Sequence, residues 1–316
     1  MRVGSLVVRE AQLNAQRSTL NAQRLRSKLP QHLNGSGATA QCARRRYIHK
    51  AMDTAFALTL FSEDAVFADS AAQACFDRID ALELTLTKFN DTSDVAVIRA
   101  LTPGTVATVS RETVDLLVVC AEVCAATSGA FDPTVERRNF SDLVIDTAHC
   151  RVAVKGKVEL DFGGIGKGFA LDECRKILEG EQFGLKNWLL DAGTSTVLVS
   201  GGPWPLGVGG PFKGRTRMAT VEELSSGALS GSGPEIQGAH IWDVRRGTRE
   251  TRWAQSWAVA PTGAEADALS TAALSLSPKE LQAAADALGA RILVARRQPA
   301  WRDRLRDPLI WYNARS

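Results

Sequence analysis

The stretch AFALTLF at 55–61 sets Thr and Ala against bulkier apolar residues in alternation, the period of a half-buried strand. Over 65–87 the spacing changes. Phe67, Ala71, Ala74, Cys75, Ile79 and Leu82 recur on one helical face and predict a helix. VATVS (106–110) reads as a short strand whose Ser110 caps a helix over 111–127, and SGAFDPTV reads as a loop. VELDF (158–162) predicts another short strand, followed by glycines and a helix over 169–179 that Gly180 ends. WLLD (188–191), TVLVS (196–200), PLGVGG (205–210) and MATVEEL (218–224) predict successive strands. A helix is expected at 265–276. SPKE (277–280) is a capping box with Pro278 at the first helical position, opening a helix over 279–288 that Gly289 closes. RILVAR (291–296) and PLIWY (308–312) complete the set as strands. The order mixes strands and helices without strict alternation, so the expected class is α+β, mixed sheets with flanking helices.

Composition divides the chain. Of its 316 residues 45% are hydrophobic and 23% charged, ordinary for a protein that buries a sizeable core. Net charge is +3, but residues 1–50 hold ten Lys/Arg against the single Glu10, which leaves the remainder near −6. An acidic body argues against nucleic acid as a partner. Residues 1–46 therefore read as a basic, flexible extension and 47–316 as the folded domain. Within the extension Leu6, Leu13 and Leu20 recur every seven and LNAQR occurs twice; after Pro30 the run is linker-like. An Arg-rich, acid-poor start is also how an organelle transit peptide looks. The roughly 7–15-residue apolar stretch of a secretory signal is missing, as is any run of roughly 18 apolar residues. The expectation is a cytoplasmic protein with no transmembrane segment. The six cysteines form no CxxC pair and have no His at zinc-ligand spacing; Cys120 and Cys124, at i,i+4 on an apolar helix, read as core.

Four segments carry candidate chemistry. LDFGGIGKGFALD (160–172) places four glycines between a strand and a helix, letting backbone approach a ligand while Lys167 adds a cation. It lacks both P-loop and dinucleotide-fingerprint spacing, so anion binding and a plain tight turn both stay open. In EADALSTAAL (265–274), Asp267 and Thr271 share one helix face. A carboxylate plus a hydroxyl suits a hard cation such as Mg²⁺, the alternative being a capped core helix. GAFDPTV (129–135) presents Asp132 before Pro133, a pairing common in turns. His240 in GAHIWD stands near Asp243, where it is either structural or catalytic.

Together with AMDT (51–54), LTKFNDTSDV (86–95), LDAGTSTVLVSGG (190–202) and ALSGSG (228–233), these segments follow one another in an order that resembles the FAD:protein FMN transferase family, the ApbE-like flavin transferases. The resemblance covers about residues 47–295. It implies the family's architecture and a Mg²⁺-dependent transfer: FAD is the substrate, FMN is attached by a phosphoester to a Thr or Ser of an acceptor protein, and AMP leaves. It further implies Asp267 and Thr271 as metal ligands, with the Gly164 carbonyl as a third and Ser270 as a neighbour. Met52, Phe89, Ala130, Phe131, Asp132, Asp161, Lys167 and Ile241 match FAD-contacting positions. His240 matches the histidine that acts on the incoming hydroxyl, and Asp267 shares the catalytic role through the metal. Departures occur at Asp53, where the family has Gly, at Phe89, where Tyr is common, in the turn Asp243–Gly247, and in the short stretch ERRNFSD. An FAD pyrophosphatase giving FMN and AMP, and an inactive FAD-binding module, are the alternatives.

Overall fold

The structure, a computed structural model, describes residues 43–134, 139–212, 215–233, 252–296 and 309–313; within 210–221 it describes the backbone. β1 (Arg44–Ala51) and β2 (Thr54–Phe61) form a hairpin with a two-residue turn at Met52–Asp53. Arg44–Arg46, which composition places in the basic extension, pair with Thr59–Phe61. Every second residue of β1 is exposed, namely Arg44, Arg46, Ile48 and Lys50, so this edge strand carries mostly charge on its solvent face, as sheet edges commonly do. α1 (Ala65–Leu86) follows, capped by the Asp64 carboxylate on the Phe67 N–H, then α2 (Asp94–Arg99), β3 (Val106–Thr108) and α3 (Arg111–Ala126), whose cap is Ser110.

β4 (Leu143–Asp146) and β5 (Arg151–Val154) pair with each other and with β3 in a three-stranded antiparallel sheet. The strand expected at 158–162 does not form. Val158, Leu160 and Phe162 are buried in alternation, but the segment joins no ladder among the described residues, and its Asp161 N–H goes to the Pro133 carbonyl. Alternation reports which side is buried, whereas a strand also needs a neighbour to pair with.

α4 (Gly166–Glu179) begins three residues earlier than the apolar pattern predicts. After β6 (Trp188–Ala192) the chain enters β7 (Thr196–Phe212) and β8 (Arg215–Ser232), one long ribbon. TVLVS and PLGVGG are thus a single strand, and MATVEEL is the middle of its partner. Gly201–Gly202–Pro203 reads as a break, yet it forms an irregularity between Ser200 and Trp204 across which pairing resumes. β9 (Gln255–Ala260), α5 (Gly263–Ala273), α6 (Pro278–Leu288), β10 (Arg291–Ala295) and β11 (Leu309–Asn313) complete the described fold. α6 carries the expected capping box, and Gly289 closes it in the left-handed conformation. The large sheet runs β1-β2-β6-β7-β8-β9-β10-β11, with antiparallel pairing throughout. The class is α+β. No helix among the described residues is long and apolar enough to cross a membrane.

One face of the large sheet, with Phe56, Leu58, Leu60, Trp188, Leu190 and Leu198, packs with residues of α1, α3, α4 and α5 into the main core. A smaller cluster around Val199, Leu206, Leu229, Trp257 and Leu293 occupies the other face. α4 and α5 meet at a pair of glycines. A Cβ on Gly168 would lie 2.0 Å from the Gly263 carbonyl oxygen, and one on Gly263 would lie 2.4 Å from the Gly168 carbonyl oxygen. That contact brings each helix's N-terminus to a carboxylate of the other. Asp172, on α4, accepts the Gly263 and Ala264 N–H groups at 2.8 Å each, while Asp267, on α5, accepts the Gly168 N–H at 3.1 Å. Unpaired N–H groups at helix starts are thereby satisfied by buried acceptors from nearly a hundred residues away.

Two outcomes follow from this crossing. Gly168→Ala forces the helices apart and should cost about 3 kcal/mol or more in urea unfolding; a cost under about 1 kcal/mol would show that they separate freely. Burial pushes the Asp172 carboxyl up from its ordinary 3.8 to about 6, against the lowering effect of its two N–H bonds. A folded-state value above the unfolded one means that the folded form holds a proton the unfolded form has already lost. Stability contributed by this group therefore falls as pH rises from about 4 to about 6, by about 3 kcal/mol in all. The unfolding free energy of the native protein, measured against Asp172→Asn, should decline across that window; a flat difference would refute the coupling.

Candidate functional site

The loop Asp161–Ile165 is tied down at several points before it enters α4. Asp161 accepts the Gly163 N–H through Oδ1 at 2.8 Å and pairs through Oδ2 with the Lys88 ammonium at 2.6 Å. Lys167, in the first turn of α4, reaches back to donate to the Gly163 carbonyl at 2.9 Å. Gly164 passes close to α5: a Cβ there would stand 3.4 Å from Thr271 Oγ1 and 3.8 Å from the Phe131 ring. Gly164 and the α5 residues Asp267, Ser270 and Thr271, about a hundred residues on in the chain, thus form one cluster where the loop meets the helix.

Asp267 is fully buried. Besides the Gly168 N–H on Oδ2, its Oδ1 faces the Ser195 and Ser230 hydroxyls at 3.3 and 3.4 Å, and the Lys167 ammonium stands 3.9 Å from Oδ2. Hydroxyl donors to a carboxylate ordinarily approach to about 2.5–2.7 Å, so Oδ1 is served loosely for a buried ion. Around it Thr271 and Ser270 donate to the Asp267 carbonyl at 3.1 and 3.0 Å, and Ser232 lies 2.8 Å from Ser270 Oγ and 3.3 Å from Thr271 Oγ1. One carboxylate with space in its electrostatics, set among hydroxyl and carbonyl oxygens, suits a hard cation that takes its other ligands from water or phosphate. No group of three His, Cys, Asp or Glu side chains that could hold a metal occurs among the described residues.

Beside this cluster opens a cleft of about 350 Å³. Met52, Phe89, Asp161 and Lys167 line it, as do Asp53, Glu83, Thr87, Lys88, Phe162 and Gly163. Its far wall is the β1–β2 turn, where Met52 and Asp53 adopt φ of 48° and 56° and Glu83 accepts the Met52 N–H at 2.9 Å. Positive φ at both central residues is the hairpin turn that matches strand twist, at some strain for residues other than Gly and Asn. Phe89 stands at the rim, 87% exposed, with the Lys88 ammonium 5.3 Å from its ring centre.

The remaining sequence-derived positions fall elsewhere. Ala130 and Phe131 are buried, Phe131 behind Gly164. Asp132 turns into its own loop, its Oδ1 taking the Thr134 N–H at 2.8 Å and the Thr134 hydroxyl at 2.5 Å. His240 and Ile241 lie outside the described residues, as does the turn Asp243–Gly247. Sequence reasoning gave no role to Ser195, Ser230 and Ser232, although LDAGTST and ALSGSG mark their places. Lys88 and Asp172 were likewise given no role, although LTKFNDTSDV and LDFGGIGKGFALD contain them, and Glu83 sits on an ordinary helical pattern.

Because Asp53 is held at φ 56°, Asp53→Gly should relieve strain and stabilise the fold by about 1 kcal/mol, read as a rise in thermal midpoint. A loss of stability would show that the Asp53 side chain holds the turn.

The fold is shared with solved bacterial proteins. The flavin transferase ApbE of Vibrio cholerae superposes with a TM-score of 0.73 at 16% identity, covering 86% of this chain and 97% of its own. The apo flavinyl transferase ApbE of Pseudomonas stutzeri gives 0.74 at 20% identity, covering 88% and 96%. The ApbE protein of Thermotoga maritima gives 0.68 at 23% identity, covering 80% and 94%. No curated protein matches the chain by sequence. The chain does match the ApbE family in two stretches, residues 52–139 and 135–294, which take in both the cleft and the Asp267 cluster, and on that match it belongs to the ApbE family.

Proposed function

We propose that the protein is a flavin transferase that takes FAD as substrate, moves its FMN part to a Thr or Ser hydroxyl of an acceptor protein, and releases AMP. The observation that carries this reading is the placement of a buried, loosely neutralised carboxylate, Asp267, directly behind Lys167 in the wall of a cleft. Membership of the ApbE family and a fold shared with proteins described as flavin transferases support it.

Asp267, Thr271 and the backbone at Gly164 would hold Mg²⁺, with Ser270 beneath them. When bound, Mg²⁺ neutralises charge on a diphosphate and polarises its phosphoryl oxygens. The protein's own groups do the rest. The glycine loop lets backbone come close to the diphosphate, and Lys167 offers it an ammonium from the cleft wall. Met52 and Phe89 flank the apolar side of the cleft, where a flat flavin ring can lie against them. The acceptor oxygen bonds to the FMN-side phosphorus as the bond from that phosphorus to the bridging oxygen breaks, and AMP leaves with the bridging oxygen. His240 is the residue that the family resemblance gives for taking the hydroxyl's proton.

Product chromatography tests this directly. The protein is mixed with FAD, Mg²⁺ and a threonine-bearing acceptor domain, with a chelator control. The expected result is metal-dependent AMP together with flavin mass on the acceptor. AMP plus free FMN whether or not acceptor is present would make the protein a pyrophosphatase, and bound FAD without products would make it a binding module. Asp267→Asn should lower AMP release by at least about 100-fold with the thermal midpoint little changed; near-normal turnover would remove Asp267 from the chemistry.

A further inference from the structure

A carboxylate taken wholly out of water requires compensating charge or hydrogen bonds. Asp267 has one N–H bond of ordinary length, two distant hydroxyls, and the Lys167 ammonium at 3.9 Å. That last contact is an ion pair without a hydrogen bond. The ammonium instead spends a proton on the Gly163 carbonyl at 2.9 Å and leaves its side chain 19% exposed in the cleft wall. Lys88, nearby, behaves differently: it closes on Asp161 at 2.6 Å. So of the two lysines lining the cleft, one is locked onto its carboxylate and the other stands off from its own.

A lysine ammonium on a four-carbon stem with rotatable donors can change partners at little steric cost. A divalent cation at Asp267 would put a like charge within a few ångströms of Lys167 and supply the neutralisation that Lys167 now provides. We propose that Lys167 is an exchangeable counter-ion: it compensates Asp267 until a divalent cation binds there, and the cation's arrival releases the ammonium to an anionic group in the cleft. This rests on the reading of Asp267 as a cation ligand given above. Two consequences are physical necessities of the exchange. Lys167 competes with the cation when no anion is present, and an anion that captures the released ammonium tightens cation binding, with reciprocal tightening of the anion.

The competition is measurable without turnover. Flavin-free, full-length protein is titrated with Mn²⁺ at pH 8, free Mn²⁺ being read from its electron paramagnetic resonance signal. Lys167→Met should bind Mn²⁺ roughly tenfold more tightly than the native protein, while Asp267→Asn loses the site. Equal or weaker binding by Lys167→Met, with the site still lost in Asp267→Asn, overturns the exchange and leaves the cation site standing. Native-like binding by Asp267→Asn overturns the cation site itself, and the exchange with it. A second measurement on the native protein covers the case of a misfolded variant. Acetylation of Lys167, followed by mass spectrometry, should accelerate several-fold when Mg²⁺ alone is added, with Lys88 as the unchanged internal reference. An unaltered Lys167 rate overturns the proposal.

Discussion

The close approach of α4 and α5 at Gly168 and Gly263 is the contact on which the site depends. Side chains at these two positions would overlap carbonyl oxygens, so only glycine allows the helix backbones to touch. Touching backbones bring the α4 start within reach of Asp267 and the α5 start within reach of Asp172. Each helix then supplies the acceptor that the other's first turn lacks. The arrangement is reciprocal, and its burial makes it rigid: neither carboxylate can relax toward water without breaking the crossing.

Function grows out of what that arrangement leaves over. Asp172 spends both oxygens on N–H groups and serves structure. Asp267 spends one oxygen well and the other poorly, with hydroxyls at the long end of hydrogen-bonding distance. The difference between two buried aspartates on facing helices is therefore one of satisfaction. The better-served one holds the fold, and the less well-served one is the carboxylate on which the proposed cation site rests. The loop before α4 completes the site, since tying Asp161 to Gly163 and Lys88, and Lys167 to Gly163, fixes the backbone of Gly164 beside Thr271.

The other wall of the cleft is built from a different constraint. The two-residue turn between β1 and β2 takes positive φ at both positions, and Met52 and Asp53 accept it with Glu83 on α1 holding the Met52 N–H. This places a carboxylate at the cleft where the family resemblance leads one to expect glycine. The cleft accordingly carries the acids Asp53, Glu83 and Asp161 together with the bases Lys88 and Lys167, of which Lys88 is paired with Asp161.

Much of this was legible in the residues themselves, and the division has a physical cause. Local signals settle local structure: the caps at Ser110 and Ser277, the stop at Gly289, the period of α1 and the α+β class all follow from interactions within a few residues. The motif succession also pointed to the family, because glycine spacing and the Asp267–Thr271 pair are sequence facts. Pairing was not legible. VELDF alternates like a strand but joins no ladder among the described residues, and Gly201–Gly202–Pro203 looks like a break but lies within β7, because a ladder is a property of two segments at once. Nor could the sequence decide which of two buried aspartates would be left underserved, or that Lys167 would stand 3.9 Å from one of them. Those distances arise only when segments about a hundred residues apart are brought together by a glycine contact that neither segment encodes alone.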